Sequence, residues 1–359
     1  MLSIYQKYII SNFFRKFIFI TIVFLSLVII LNILEEISFF KKSESNFLYP
    51  YILTLLNAPI TLFEIFPFIF LLSVQYLFYD LFNKNELILL KNNGLSNFKI
   101  IKIIFLFSIF IGLFNITVYY NLASIMKFKY SEIKNKFSKD NKYLAMINDN
   151  GIWIKDEIDG KKIIVKSKSF NQNYLLDNII NEFDDKFQLI RTIKSDKIDI
   201  EAVNWKIFNP IITLDDNRKY LEETMIFKSN FKSDIINNLF SNIYTLDLLK
   251  LYKLKKNYEK IGFSTNEIKV HILKLFSMPL LYGLLCVLSS IIMFNSKRNK
   301  SLFFYILNGI FFSVIIYYLT FIFNSLGSTG VIPIVLSIFF PLIILMLINA
   351  IGLVNINDK

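Results

Sequence analysis

Six long apolar runs dominate the chain, at roughly 17–37, 51–82, 100–120, 270–294, 302–323 and 331–353. Phe17 to Leu34 and Leu302 to Phe323 hold no charged residue. A helix needs about 20 mainly apolar residues to cross roughly 30 Å of hydrocarbon, so the pattern predicts six membrane spans. The first run is too long for a cleavable signal and is followed by no small-residue cleavage site, so it is read as a permanent span.

A polar stretch of about 150 residues, long enough for one domain, separates the third run from the fourth. Its patterning is that of strands. Gly151 to Val165 predicts a hairpin with Asp159-Gly160 at the turn. Lys197 to Trp205 alternates polar and apolar, with a slip at Ala202-Val203, and predicts one half-buried strand with a bulge. Further strands are expected near Tyr143–Asn148, Asn178–Asp184, Phe187–Ile193 and Tyr220–Phe227. Short strands at this spacing suggest a sandwich or jelly roll. Helix returns near Thr245, with Leu246, Leu249 and Tyr252 at helical spacing and Gly262 as its stop. Ser264 and Glu267 have capping-box spacing for the fourth span. The predicted fold class is thus an α-helical polytopic membrane protein with an inserted all-β domain. Residues 1–120 carry spans one to three, 121–263 the β domain with a flanking helical connection, and 264–359 spans four to six.

Charge orients this layout. Lys7, Arg15 and Lys16 precede or open the first span; Lys84, Lys91, Lys99 and Lys102 surround the second loop; Lys297, Arg298 and Lys300 lie in the fourth. The alternate loops are poorer in positive charge. Basic short loops stay in the cytoplasm, so both termini are expected there and the β domain in the periplasm. The net charge of +12 suits anionic partners such as phosphorylated lipids, and equally suits a composition rich in Lys, Asn, Ile and Phe.

Little in the chain promises catalysis. Neither a phosphate-binding loop nor a G-x-S-x-G elbow is present, so energy for any driven process must come from another subunit. One Cys, Cys286, and one His, His271, exclude a His/Cys metal site, and no cofactor is implied. Glu64 lies between Pro59 and Pro67 in the second run. It reads either as a contact facing a polar interior or as a residue near the interface, paired or hydrated. Lys84 to Ser96 is more specific. Leu87, Ile88 and Leu90 make an apolar stripe on a short helix, Gly94 ends it and Ser96 caps the next span. Such a helix lies on the membrane or docks in a partner's groove. Lys41-Lys42, after the first span, and Lys127 and Lys129, beyond the third, either bind phosphates of an anionic lipid or snorkel to ordinary headgroups.

Taken in order, several of these residues resemble a known family. They are the Tyr8 leader, the Pro59/Pro67 run, Asn85 to Gly94, Gly151 to Asp156, the Trp205 strand, Pro279, Gly330 to Pro333, and Pro341. The chain resembles the LptF/LptG (YjgP/YjgQ) permeases of the lipopolysaccharide export ABC transporter, and its last motif looks more like LptG. That resemblance implies a non-catalytic inner-membrane subunit paired with an LptF paralogue and an LptB ATPase dimer. The β-jellyroll would pass lipopolysaccharide to LptC and the periplasmic bridge; no nucleic acid is involved. Glu86, Leu87, Leu90 and Gly94 would belong to the helix that docks on LptB, and Lys41, Lys42, Lys127 and Lys129 would meet the lipid's phosphates. Asn85 stands where the family usually has Ser, and the acidic pair Glu35-Glu36 is unexpected beside an anionic ligand. The competing classes are a membrane-anchored periplasmic binding or sensor protein, for which six spans and a docking helix are superfluous, and a membrane-embedded lipid enzyme, which needs a constellation of acids, bases or nucleophiles.

Overall fold

The structure is a computed structural model. It describes residues 3–41, 47–137, 152–158, 160–171, 173–214, 219–221, 223–230, 233, 243–260, 264–295 and 301–357. The chain forms two compact units, Met1–Tyr130 with Asn266–Lys359, and Ser131–Thr265. In order, its helices are α1 (Ile4–Phe40), α2 (Tyr49–Asn83), α3 (Glu86–Asn92), α4 (Asn97–Phe114), α5 (Tyr120–Phe137), α6 (Leu248–Lys260), α7 (Asn266–Asn295), α8 (Leu302–Ser328) and α9 (Ile334–Asn357).

Among the described residues, six helical stretches are long and apolar enough to cross a membrane. The third is α4 and α5 joined through a π turn at Asn115–Tyr119, and it runs well beyond the predicted end near residue 120. Lys127, Lys129 and Glu132 end the apolar run there, but none of them breaks a helix. Ser96 caps α4 as expected, its Oγ accepting from the Lys99 amide at 3.3 Å. Pro59 and Pro67 both lie inside α2, where each removes a backbone donor. The Tyr119 hydroxyl donates to the Pro59 carbonyl at 3.1 Å, which ties the third span to α2 beside that proline.

The inner helix of this unit is α7. Leu71 and Leu72 of α2, Leu284, Leu285 and Leu288 of α7, and Leu342 and Leu345 of α9 form one buried cluster. Phe70 stacks on Tyr282 with centroids 4.4 Å apart. Gly112 of α4 meets α7 where a Cβ would lie 2.7 Å from Pro279 Cα, so only glycine allows this approach. Ser289 Oγ donates to the Leu71 carbonyl and Asn349 Nδ2 to the Leu284 carbonyl, each at 2.8 Å. By contrast α1 and α8 turn Ile22, Leu31, Leu34, Phe303, Phe311 and Tyr318 outward. Such apolar faces require lipid or another apolar surface against them.

Among its described residues the second unit holds an antiparallel sheet of eight strands: β1 (Ile152–Ile158), β2 (Lys161–Asn171), β3 (Tyr174–Phe183), β4 (Leu189–Asp199), β5 (Asn204–Phe208), β6 (Ile211–Leu214), β7 (Lys219–Leu221) and β8 (Thr224–Lys228). The order is β1-β2-β3-β4-β5-β8, with β6 between β4 and β7. Ile158 pairs with Lys161, so the predicted two-residue hairpin is present, with Gly160 at φ +78°. Asp159 itself and the strand expected at Tyr143–Asn148 lie outside the described residues.

Three expectations fail. Lys197 to Trp205 is not one bulged strand: β4 ends at Asp199 and β5 begins at Asn204, folding back so that Lys197 pairs with Phe208. The slip in alternation marks a turn. Tyr220–Phe227 likewise divides between β7 and β8. In α6, Leu251 and Leu254 are buried, whereas Leu249 and Tyr252 are exposed, and Leu246 is buried but precedes the helix, so the inward face is not the expected one. Its predicted stop, Gly262, lies outside the described residues. The sheet's interior is apolar and tightly filled, with Leu175, Ile180, Ile193, Ile198, Trp205 and Ile207 all fully buried. Asp156 of β1 accepts from Ser229 Oγ (2.8 Å), Asn230 N (3.0 Å) and Asn230 Nδ2 (2.8 Å), joining β1 to the residues after β8. Three donors offset the cost of burying that carboxylate.

Candidate functional site

Two polar regions stand at opposite ends of the membrane unit, separated along α2 by roughly 40 Å at 1.5 Å per residue. The first is built around α3. Seven residues are too few for an isolated helix to be stable, so tertiary contacts must hold it. Leu87 is buried in the protein's own unit, and Leu90 is half-buried. Ile88 and Leu89 are the exposed apolar residues, at 43% and 60%. The predicted stripe therefore divides: Leu87 anchors the helix, and an outward patch consists of Ile88 with Leu89.

Both ends of α3 are specified locally. Asn85 takes the left-handed conformation (φ 59°), which Asn tolerates better than most residues, and its side chain makes no cap bond. Glu86 and Lys91 sit at the dipole ends that favour their charges. Gly94 (φ 81°) donates to the Lys91 carbonyl and Leu95 to the Leu90 carbonyl, the paired bonds of a Schellman turn. A Cβ at Gly94 would meet nothing within 4 Å, so Gly94→Ala adds only backbone strain. That strain is about 1 kcal/mol and is expected to fray α3 selectively, visible as faster amide exchange at Leu90 and Lys91.

Side chains from α1 complete this end. The Tyr8 hydroxyl donates to Glu86 Oε2 at 2.6 Å. Lys16 forms an ion pair with Asp80 and lies 4.0 Å from the Tyr76 ring centre, while Lys84 reaches the same Asp80 carboxylate at 3.6 Å.

The second region gathers residues of α1, α2, α5 and α7. Lys127 Nζ donates to Asn57 Oδ1 at 2.7 Å and lies 4.2 Å from the Tyr130 ring centre. The Tyr130 hydroxyl donates to Glu36 Oε1 at 2.8 Å, so Glu36, fully buried, is held inside the helix packing. Tyr120 Oη and His271 Nε2 share a hydrogen bond of 2.9 Å. Glu64 of α2 and Lys274 of α7 add two further ionisable side chains within the spans. Of the four lysines singled out from sequence, Lys127 is half-buried in this cluster, Lys41 and Lys129 are exposed, and Lys42 lies outside the described residues.

Sequence reading missed Asn57, Tyr120 and Lys274, and weighed His271 only as a metal ligand. The signal was available, since an ionisable residue inside a membrane run is itself a functional pointer, and His271 and Lys274 are spaced to share a helix face.

Six apolar spans, a β unit inserted between the third and fourth, and a short amphipathic helix after the second now stand together. No individual curated protein matches the chain. The family described as lipopolysaccharide export system permease LptF/LptG matches residues 7–355, nearly the whole length, and the chain belongs to that family.

Proposed function

We propose that this chain is the LptG-type permease of its complex, pairing with an LptF paralogue and driven by two LptB ATPases. Family membership makes it a permease subunit of the lipopolysaccharide export transporter. The resemblance of Gly330 to Pro333 supports the LptG side of the pair. Basic short loops support cytoplasmic termini and a periplasmic β unit, which would hand the lipid to LptC.

The observation that carries the reading is the arrangement of α3: Leu87 is anchored inside while Ile88 and Leu89 face outward on a helix fixed at both ends. A helix built this way suits a partner's groove, and ATP-driven movement of that partner would act on the membrane unit through it. Some such coupling is needed. Each methylene moved from membrane to water costs about 0.8 kcal/mol, so a multi-acyl lipid leaves the bilayer only with energy supplied.

Lys41, Lys42, Lys127 and Lys129 would meet the lipid's phosphates at the other end. A charge-assisted hydrogen bond is worth about 1.5–3 kcal/mol. Lys41→Glu with Lys42→Glu replaces attraction by repulsion and is expected to cut ATP-driven transfer from proteoliposomes at least tenfold, with complex assembly intact. Unchanged transfer would remove these two lysines from the path.

A further inference from the structure

Two routes lead from α3 towards the Lys41 end of the membrane unit. One is the main chain through Lys84 into α2, which carries Pro59 and Pro67 within its length. Each proline lets that helix bend. The other passes from Glu86 through the Tyr8 hydroxyl into α1. That helix has 37 residues and contains neither proline nor glycine. At 1.5 Å per residue it is a rod of about 55 Å, ending just before Lys41.

The start of α1 is fixed to its neighbours. Ile9, Phe13 and Phe17 are buried, Phe13 meets Phe107 edge-on at 6.0 Å, and Phe17 lies 4.8 Å from Phe70. Further along, Ile22, Leu27, Ile30, Leu31 and Leu34 face outward. A displacement of Glu86 thus reaches an unbroken helix whose far half turns an apolar face outward.

We infer that Tyr8 is a positioning residue for transport: its hydroxyl ties the ATPase-coupling helix to α1, so that movement of α3 is delivered along α1 to the lipid-facing end. This rests on the permease reading and adds to it the side chain through which the stroke passes. Tyr8 need touch neither lipid nor ATPase. Its hydroxyl supplies the link to Glu86, so Tyr8→Phe removes that link and leaves the ring.

Tyr8→Phe in the assembled complex, reconstituted in proteoliposomes with lipopolysaccharide, tests it. The variant is expected to keep complex assembly and ATP hydrolysis within about twofold of wild type, while lipid transferred per ATP hydrolysed falls at least fivefold. Glu86→Ala combined with Tyr8→Phe should transfer no less per ATP than Glu86→Ala alone, because one link is lost only once. A wild-type ratio in Tyr8→Phe overturns the inference, as does parallel loss of assembly and hydrolysis, which would make Tyr8 a structural prop. If the wild-type complex itself moves no lipid with ATP, the permease reading fails instead.

Discussion

Ile88→Asp combined with Leu89→Asp is expected to release the ATPase from the permease while the permease stays folded. Both side chains are outward on α3, so their replacement costs the free chain little. In the complex they would be covered. Burying a Leu or Ile side chain is worth about 1.5–3 kcal/mol each, and a carboxylate forced into an apolar groove adds a desolvation cost. Losing even about 4 kcal/mol weakens binding roughly a thousandfold. Co-purification of the ATPase with tagged permease measures this directly. Leu87→Asp serves as the contrasting variant, because Leu87 is 4% exposed and holds α3 to its own unit. It should loosen α3 in the isolated permease, whereas the Ile88/Leu89 pair should not.

The second large effect concerns the β unit. Trp205 has no solvent exposure and lies at the centre of the sheet's interior, with Phe227 tilted against it at 6.3 Å. Truncating a buried Trp to Ala costs about 3–5 kcal/mol through lost burial and the cavity left behind. Against a typical domain stability of about 5–15 kcal/mol, that is a large fraction. Trp205→Ala in the full-length chain is therefore expected to make residues 152–230 sharply more sensitive to limited proteolysis, with the six spans unaffected. Equal resistance in variant and wild type would mean that this interior is not what holds the sheet together.

The parts of the fold that could be read from the chain were those written in composition. Uninterrupted runs such as Leu302 to Phe323 announce a span wherever they lie in the sequence. Ser96 and Gly94 announced a cap and a turn because only short-range geometry decides them. What stayed hidden depended on phase or on distant partners. The third span continues as helix through Lys127 and Lys129, where hydropathy has already dropped. The break between β4 and β5 looked like a bulge because a turn and a bulge both slip the alternation by one position.

The candidate site divides the same way. The α3 segment was visible as an amphipathic stretch, yet which leucine faces inward was settled by Leu87 packing, not by spacing alone. The bond from Tyr8 to Glu86 spans 78 residues, and the one from Tyr120 to His271 spans 151; no local pattern encodes either. Lys127 was singled out for its position beyond the third run, but its tie to Asn57 follows from how α2 and α5 pack.

The most direct measurement is a tagged purification from membranes in mild detergent, with mass spectrometry of every retained protein and lipid. The account predicts an ABC ATPase, a second six-span permease and bound lipopolysaccharide. A chain that emerges alone under gentle conditions would contradict it and favour a membrane-anchored binding protein.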